Sequence, residues 1–330
     1  MTPPAMVAAR PDVSIVVPVY RSESILPHLV AQVKAAMQAA DMADRFELIL
    51  VNDASPDGSW NVIRELAMGH PFVKGICLAR NFGQHNATMA GLNHAEGEVV
   101  VIMDDDLQHP PQTIMTLVNA VRDGFDVCYT TYVNRQHAVW KRLGSWFNDR
   151  VASFLLNKPR GLYLSSYKAL HRRVVQDVIR YDGPYAYIDG LILDITRHVT
   201  SVPVAHQTRY EGKGNYGLRR SISLWLMMAT SFSIIPLRIA SATGLVLAAI
   251  SAVAMIVVII EKLRHPETPA GWASMLVIVL FMGGLQLLCL GVIGEYLGRA
   301  YLKLNRKPQF AVRERIGDTT AQRTGPADAK

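Results

Sequence analysis

The stretch that decides the fold is VVVIMDDDLQHPP, residues 99–111. Its first five residues are apolar and predict a buried strand, which ends abruptly at three consecutive carboxylates. In open α/β sheets, binding sites lie at the carboxyl ends of the strands. The sequence therefore predicts an α/β fold with a site directly after this strand.

The three carboxylates predict a cation site. Asp104, Asp105 and Asp106 repel one another, so we expect a positive charge to hold them together. Alternate side chains of an extended chain share a face, which would put Asp104, Asp106 and Gln108 on one side. Oxygen ligands of this kind suit Mg²⁺ or Mn²⁺ bound together with the phosphates of a substrate. The alternative is an acidic, solvated loop that caps a helix beginning near Pro111.

Outward from this stretch, strand-like and helix-like segments alternate over residues 13–132. The predicted strands are Val13–Val19, Phe46–Val51, Phe72–Leu78, Val99–Met103 and Phe125–Thr131, with a further one at Ser201–His206. Helical patterns separate the first five strands. This order predicts a mostly parallel sheet that is covered by helices on both faces.

The ends of the first two predicted strands suit a nucleotide. Pro18 and Tyr20 close the first strand, and Asp53 follows the second, where a carboxylate can accept hydrogen bonds from a ribose or a base. The sequence after the first strand has neither glycine-rich phosphate motif, so a metal on the aspartates would have to bind a diphosphate. Turn formation and helix capping are the alternative explanation of Asp53.

Membrane segments are predicted near the C-terminus. Hydrophobic residues make up 50% of the 330 residues and are most concentrated there. The uncharged runs Ile239–Ile260 and Trp272–Gly294 are each long enough to cross a bilayer as a helix. A shorter apolar run at 222–237 predicts a helix that lies in the membrane interface. Basic residues flank these runs, which places both large ends in the cytoplasm. Because the net charge of +7 follows the membrane segments, we do not expect a nucleic acid as partner.

Taken together, the motifs resemble family-2 glycosyltransferases that act on polyprenyl phosphates, a group that includes dolichol-phosphate mannose synthase and bacterial undecaprenyl-phosphate sugar transferases. The resemblance covers roughly residues 12–312. The matching segments are VSIVVPVY (13–20), LILVNDASPDGS (48–59), ARNFGQHNATMAGLNHA (79–95), MDDDLQHPP (103–111) and GEYLGRAYLKLNRKPQF (294–310).

The resemblance implies a Rossmann-like GT-A domain and inverting transfer of a sugar from a nucleotide diphosphate, with UDP favoured, to a polyprenyl phosphate such as undecaprenyl phosphate. It also implies a homo-oligomer in the inner membrane that supplies a lipid-linked sugar to the cell envelope. The expected regions are a tail at 1–12, the GT-A domain at 13–215, an interface helix at 216–237, two transmembrane helices within 238–298 and a basic cytoplasmic tail at 299–330 that ends in disorder.

Family roles carry over to the positions that match. The resemblance implies that the nucleotide contacts Pro18, Tyr20 and Asp53, that the donor sugar borders Arg80 and Gln84, and that metal and diphosphate bind Asp104, Asp106 and Gln108. It further implies that Arg135 and Arg142 bind the acceptor phosphate and that Arg209 and Lys213 cover the donor diphosphate. Asp106, Arg135, Arg142 and Asp189 are the expected catalytic residues.

The chain departs from the family pattern at two places. Arg21 and Ser22 follow the Pro-x-Tyr motif, where many members carry Asn-Glu. Ser166 stands where members often have an aspartate, the usual candidate for a catalytic base, and Lys168 replaces an arginine. Asp189 is the nearest spare carboxylate, and the alternative to a catalytic role is a helix start or an ion pair with Arg150 or Arg209.

Three functions are weighed on this basis. An acceptor phosphate is already an anion at neutral pH, because its second pKa is about 6, so transfer to it needs no base. A glycolipid or polysaccharide synthase would instead use a hydroxyl acceptor, but the chain lacks the Q-x-x-R-W motif of processive synthases. A transferase-like scaffold without activity is the third possibility, which the missing base favours and the acidic motif opposes.

Overall fold

Apolar strands and amphipathic helices alternate in the computed structural model, as the sequence pattern predicts. The structure describes residues 10–133, 159, 162–184, 186–205, 235–264, 271–305 and 307–317. The chain divides into an α/β unit, which includes the segment after residue 306, and a helical unit within 217–306.

The α/β unit is built on one sheet. Its strands are β1 (Val13–Val19), β2 (Phe46–Asn52), β3 (Val73–Leu78), β4 (Val99–Ile102), β5 (Val127–Val133), β6 (Lys168–His171), β7 (Val199–Ala205) and β8 (Val312–Ile316). Over the described residues the strand order is β7-β5-β6-β4-β1-β2-β3-β8. The central strands β4, β1, β2 and β3 run parallel, and all residues of β1 and β2 are buried. The carboxyl ends of these four strands therefore share one edge of the sheet, which we call the carboxyl edge; the opposite one is the amino edge.

Helices cover both faces of this sheet, as expected for buried parallel strands. They are α1 (Leu26–Ala39), α2 (Ser59–Gly69), α3 (Gln84–His94), α4 (Ile114–Arg122), α5 (Arg172–Val178) and α6 (Ile188–Ile195). Helix α3 approaches β1 closely, since a Cβ on Gly91 would lie 2.3 Å from Cγ1 of Val16. This contact brings the first turn of α3 to the carboxyl edge.

Two strands of the sheet were not predicted from the sequence. β6 is antiparallel to both β4 and β5, and β8 is antiparallel to β3. β8 comes from the segment that the sequence analysis assigned to a cytoplasmic tail. A further difference concerns the helix expected near Pro111, which begins as a 3₁₀ turn at Pro111–Thr113 and becomes α4 only at Ile114.

The helical unit contains α7 (Ile235–Arg264) and α8 (Trp272–Leu304), which include both predicted spans. Within the described residues, one stretch, Phe281–Leu302, is long and apolar enough to cross a membrane. The predicted interface helix at 222–237 lies outside the described residues except for its last three, which begin α7. Pro236 is thus at the start of a helix, where its missing N–H costs nothing.

Candidate active site at the carboxyl edge

Three turns at the carboxyl edge hold a non-glycine residue in the left-handed conformation. Arg21 after β1 has φ 60°, Ala54 after β2 has φ 49°, and Leu107 after β4 has φ 57°. This conformation costs an L-residue about 1–2 kcal/mol, and such strain concentrates at functional sites. These bends were not predicted from the sequence, although Arg21, where the chain departs from the family pattern, lies in one of them.

Asp104 is held from three directions. Its Oδ1 accepts a hydrogen bond from Nε2 of Gln84 at 2.7 Å, and its Oδ2 accepts one from the hydroxyl of Ser166 at 2.6 Å. Its backbone N–H donates a hydrogen bond, 3.3 Å long, to Nδ1 of His109. The His109 ring in turn stacks on the ring of Tyr167, with 4.9 Å between the centroids. Ser166, which stands where related enzymes often have the candidate base, therefore donates a hydrogen bond to the first aspartate of the acidic motif.

Asp105 faces a different strand. Its Oδ2 accepts hydrogen bonds from the hydroxyl of Ser22 and, at 3.2 Å, from the backbone N–H of Tyr20. Burial raises the pKa of Asp105 to about 6, and the neighbouring Asp104 and Asp106 raise it as well, while the two hydrogen bonds lower it. Ser22, the second residue of the departure from the family pattern, thus joins the turn after β1 to the turn after β4.

Asp106 lies in the bend of the acidic motif. Its Oδ1 accepts a hydrogen bond from the backbone N–H of Gln108 at 3.1 Å. Because β4 ends at Ile102 and the chain bends at residues 105–107, strand alternation stops before the carboxylates. Strand alternation therefore does not place Asp104, Asp106 and Gln108 on one face, because alternation needs an extended chain.

Asp53 is buried behind the loop that precedes α3. Its two carboxylate oxygens accept hydrogen bonds from the backbone N–H groups of Phe82, at 2.7 Å, and Gly83, at 2.8 Å. Gly83 has φ +88°, a conformation that favours glycine. Burial raises the pKa of Asp53, although both backbone hydrogen bonds lower it. Asp53 thus orders the loop that carries Arg80 and leads to Gln84.

The remaining carboxylate, Asp189, forms a buried ion pair with Lys168 at the start of β6. The Nζ of Lys168 also lies 5.1 Å from the ring centroid of Tyr129. This partner differs from Arg150 and Arg209, the two cations suggested by the sequence. Lys168 therefore pairs with Asp189, the spare carboxylate that the sequence singled out.

His85 lies beside this pair in the first turn of α3. Its ring meets the ring of Tyr187 edge-on, with 5.2 Å between the centroids. Burial lowers the pKa of His85, Asp189 and Asp104 raise it, and Lys168 lowers it further. The lowered pKa favours the neutral imidazole.

The other predicted site residues fall into two groups. Pro18 is buried within β1, whereas Tyr20 and Arg80 are exposed at the carboxyl edge, and the Arg80 guanidinium lies 4.4 Å from the ring centroid of Phe82. The predicted phosphate-binding residues Arg135, Arg142, Arg209 and Lys213 lie outside the described residues.

A divalent cation fits the donors of the acidic motif. Among the described residues, no group of three or more His, Cys, Asp or Glu side chains is placed to hold a metal. However, Mg²⁺ is usually bound by one or two carboxylates together with substrate phosphates and water. Asp104 and Asp106 supply two carboxylates, and the hydrogen bonds that Asp104 accepts from Gln84 and Ser166 come from neutral groups, which do not cancel its charge. Such a site is completed by a phosphate-bearing substrate.

Comparisons with known proteins give the family. The model of glycosyl transferase family 2 matches residues 14–179. An undecaprenyl-phosphate 4-deoxy-4-formamido-L-arabinose transferase of Aeromonas hydrophila is 35% identical over 93% of this chain and 95% of its own length. The uncharacterised glycosyltransferase YkcC of Bacillus subtilis is 31% identical over 92% and 94%.

Among solved structures, glucosyl-3-phosphoglycerate synthase of Mycobacterium tuberculosis aligns with a TM-score of 0.48 and 18% identity, covering 68% of this chain and 81% of that one. The family and the observed sheet confirm the predicted GT-A α/β fold. Since the family model covers half of the chain and a relative matches along nearly its whole length, the chain belongs to glycosyl transferase family 2 and is a glycosyltransferase.

Proposed function

We propose that the enzyme transfers a sugar, with inversion, from a nucleotide diphosphate sugar to a polyprenyl phosphate at the cytoplasmic face of the inner membrane. UDP is the favoured nucleotide and undecaprenyl phosphate the favoured acceptor. The observation that carries the proposal is the acidic motif at the carboxyl edge, in a chain similar over its length to enzymes named for undecaprenyl phosphate.

In this proposal the donor lies across the carboxyl edge. Asp104, Asp106 and Gln108 would hold Mg²⁺ or Mn²⁺, which when bound supplies positive charge to the departing diphosphate. The loop ordered by Asp53 borders the nucleotide and the sugar. Arg209 and Lys213 are proposed to cover the diphosphate.

The transfer itself needs no proton acceptor. An oxygen of the acceptor phosphate forms the new bond to the anomeric carbon, and the bond from that carbon to the diphosphate breaks with its electron pair going to the leaving group. The acceptor phosphate is already ionised. This agrees with a site in which the Ser166 hydroxyl donates to Asp104 and Asp189 is paired with Lys168. Arg135 and Arg142 are proposed to bind the acceptor phosphate.

Exposed apolar side chains on α7 and α8 support the membrane part of the proposal. Leu245 is 74% exposed, Phe281 62% and Leu287 70%, and large exposed apolar surfaces mark contact with a membrane or another protein. Two spans and a basic interface would hold the enzyme at the membrane that contains the acceptor lipid. Association of several copies through these helices belongs to the same proposal.

The test is a transfer assay with the full chain in lipid vesicles that contain undecaprenyl phosphate. Mn²⁺ and a panel of labelled UDP- and GDP-sugars are added, and the label is followed into the lipid phase. We expect lipid-soluble label that mild acid releases, because a sugar phosphate bond is labile. Label that resists mild acid would indicate a hydroxyl acceptor, and nucleotide binding without transfer from any donor would indicate a scaffold; either result contradicts the proposal.

A further inference from the structure

The segment Lys307–Gly317 has no task in the reaction proposed above, although its first residues, KPQF, belong to the motifs that resemble the family. The segment follows α8 in the chain but belongs to the α/β unit, where it ends as β8. It contacts the backbone of two loops. The carbonyl of Ala311 accepts a hydrogen bond at 2.8 Å from the N–H of Ala79, next to Arg80.

Gln309 makes the second contact and is buried, with 8% of its surface exposed. Its Nε2 donates to the carbonyl of Gly183 at 3.0 Å and to that of Tyr181 at 3.4 Å. One amide group therefore satisfies two carbonyls of the segment that precedes α6. Leaving a buried carbonyl without a donor costs about 1–3 kcal/mol, so this contact constrains the backbone of the segment.

The segment that Gln309 holds lies against the first turns of α3. The carbonyl of Pro184 accepts a hydrogen bond from Nδ2 of Asn86 at 3.2 Å. Three residues further on, the ring of Tyr187 contacts His85. The neighbouring residue of α3, Gln84, donates to Asp104. A continuous set of contacts thus runs from Gln309 to the acidic motif.

We propose that Gln309 is a positioning residue for the donor site. By holding the carbonyls of Tyr181 and Gly183, it fixes the segment that packs on α3 and so the placement of Gln84 and His85 beside Asp104. The inference rests on the proposed function, because it takes the carboxyl edge to be the donor site. Its direct consequence, order in residues 181–188, does not depend on which reaction is catalysed.

The experiment compares two variants of the full chain with a matched control from the same segment. Gln309→Met keeps the length of the side chain but removes the donor, and Gln309→Glu replaces the donor by a carboxylate that repels both carbonyls. The control is Glu314→Ala in β8, which loses two side-chain contacts with α2: the indole N–H of Trp60 at 3.1 Å and Nε of Arg64 at 3.5 Å.

Three readouts are measured: amide hydrogen exchange, the Kd for UDP with Mn²⁺ by calorimetry, and the KM and kcat of transfer. In both Gln309 variants we expect the rate of amide hydrogen exchange at residues 181–188 to increase about tenfold, because the segment loses a constraint. We also expect the Kd for UDP to increase about tenfold, because small displacements in a site have large effects. The donor KM should rise more than kcat falls. Glu314→Ala should leave Kd and KM unchanged.

The inference is overturned if the exchange rates at residues 181–188 are the same in the Gln309 variants as in the parent protein. It is also overturned if both variants bind UDP with the Kd of the parent protein. An increase in Kd that Glu314→Ala matches also overturns it, because loosening of β8 would then be the cause. If the parent protein binds UDP but transfers no sugar to undecaprenyl phosphate, the proposed function fails alone, and the exchange and binding results still decide the role of Gln309.

Discussion

Carboxylates at the two edges of the sheet are stabilised in different ways. At the amino edge they meet cations: Oδ2 of Asp12 pairs with Arg45 and with Arg122, and Oδ1 of Asp126 lies 2.9 Å from Nη2 of Arg173. The positive charges that balance these acids are therefore part of the fold.

At the carboxyl edge, Asp104 and Asp53 accept hydrogen bonds from neutral donors. Asp104 accepts from the amide of Gln84 and the hydroxyl of Ser166, and Asp53 accepts from two backbone N–H groups. Lys168, a cation of this edge, is bound to Asp189. Neutral donors fix the position of a carboxylate without cancelling its charge. Asp104 therefore keeps a negative charge that suits the divalent cation of the proposed function.

The largest effect is expected from removing the charge of the acidic motif. Asp104→Asn combined with Asp106→Asn should lower the rate of transfer roughly a thousandfold, since groups that stabilise a leaving charge contribute about 10²–10³ each. The measurement is the rate at which labelled sugar enters the lipid phase. The matched control is Asp12→Asn at the amino edge, which should keep its activity and lose about 1 kcal/mol of stability at most. If the double variant kept its full transfer rate, or if Asp12→Asn lost as much activity as the double variant, the carboxylates of the two edges would not differ in their role.

The next effect concerns the buried pair of Lys168 and Asp189. Lys168→Met should lower the free energy of unfolding of the α/β unit by about 3 kcal/mol, because it leaves a buried carboxylate without its partner. Urea titration followed by tryptophan fluorescence measures this loss. Adding Asp189→Leu should restore most of the stability.

The activity of that double variant also tests the catalytic role predicted for Asp189. Transfer at a rate close to that of the parent protein would show that the reaction needs no base. A refolded, stable double variant without transfer would show instead that Asp189 takes part in the chemistry, and would contradict the base-free step.

A smaller effect should follow from loss of the Ser166 hydroxyl. Ser166→Ala is expected to weaken Mn²⁺ binding about tenfold, because residues that orient a metal ligand contribute 10–100-fold in affinity. Titration of free Mn²⁺ by electron paramagnetic resonance gives the affinity. Thr196→Val is the matched control, since the Thr196 hydroxyl donates to Asp126 at the same distance of 2.6 Å at the amino edge. Equal Mn²⁺ affinity in all three proteins would show that Ser166 does not orient Asp104 for a metal.

The smallest effect is a pH dependence at the amino edge. The Thr196 hydroxyl and Arg173 hold the pKa of Asp126 below its usual range, against the opposing effect of burial. A lowered pKa in the folded state stabilises the protein above the pKa of the unfolded chain, and this stabilisation is lost as the pH falls through the folded value. The unfolding temperature of Asp126→Asn should therefore lie below that of the parent protein at neutral pH, by an amount equivalent to about 1 kcal/mol or less, and approach it in acid. If the difference in unfolding temperature between Asp126→Asn and the parent protein instead grew as the pH fell, the pKa of Asp126 would not be lowered in the folded state.

Much of the α/β unit could be predicted because its central strands are buried on both faces. Such strands appear in the sequence as continuous apolar runs, and the predicted strand Val13–Val19 coincides with β1. The acidic motif was recognisable for the same reason, since three carboxylates directly after an apolar run indicate where a buried segment leaves the core. By contrast, β6 and β8 are short, pair antiparallel and join the sheet from distant parts of the chain.

The partners of the site residues show the same limit. The sequence singled out Ser166 as a departure and Asp189 as a spare carboxylate, but it did not indicate that the hydroxyl donates to Asp104 or that Lys168 holds Asp189. These partners are 62 and 21 residues apart, and contacts over such separations leave no periodic pattern. Gln309, 126 residues from Gly183, lies beyond the reach of any local pattern.

By itself the sequence determined the fold class and the position of the acidic motif, because the local pattern of apolar and polar residues indicates which segments are buried strands, and its motifs carried the resemblance to the family. Only the tertiary structure decided which groups donate hydrogen bonds to Asp104 and Asp53 and which carboxylate Lys168 pairs with. It also decided that the segment after α8 adds a strand to the sheet. Those outcomes depend on distances between residues that are far apart in the chain, and such distances exist only once the chain has folded.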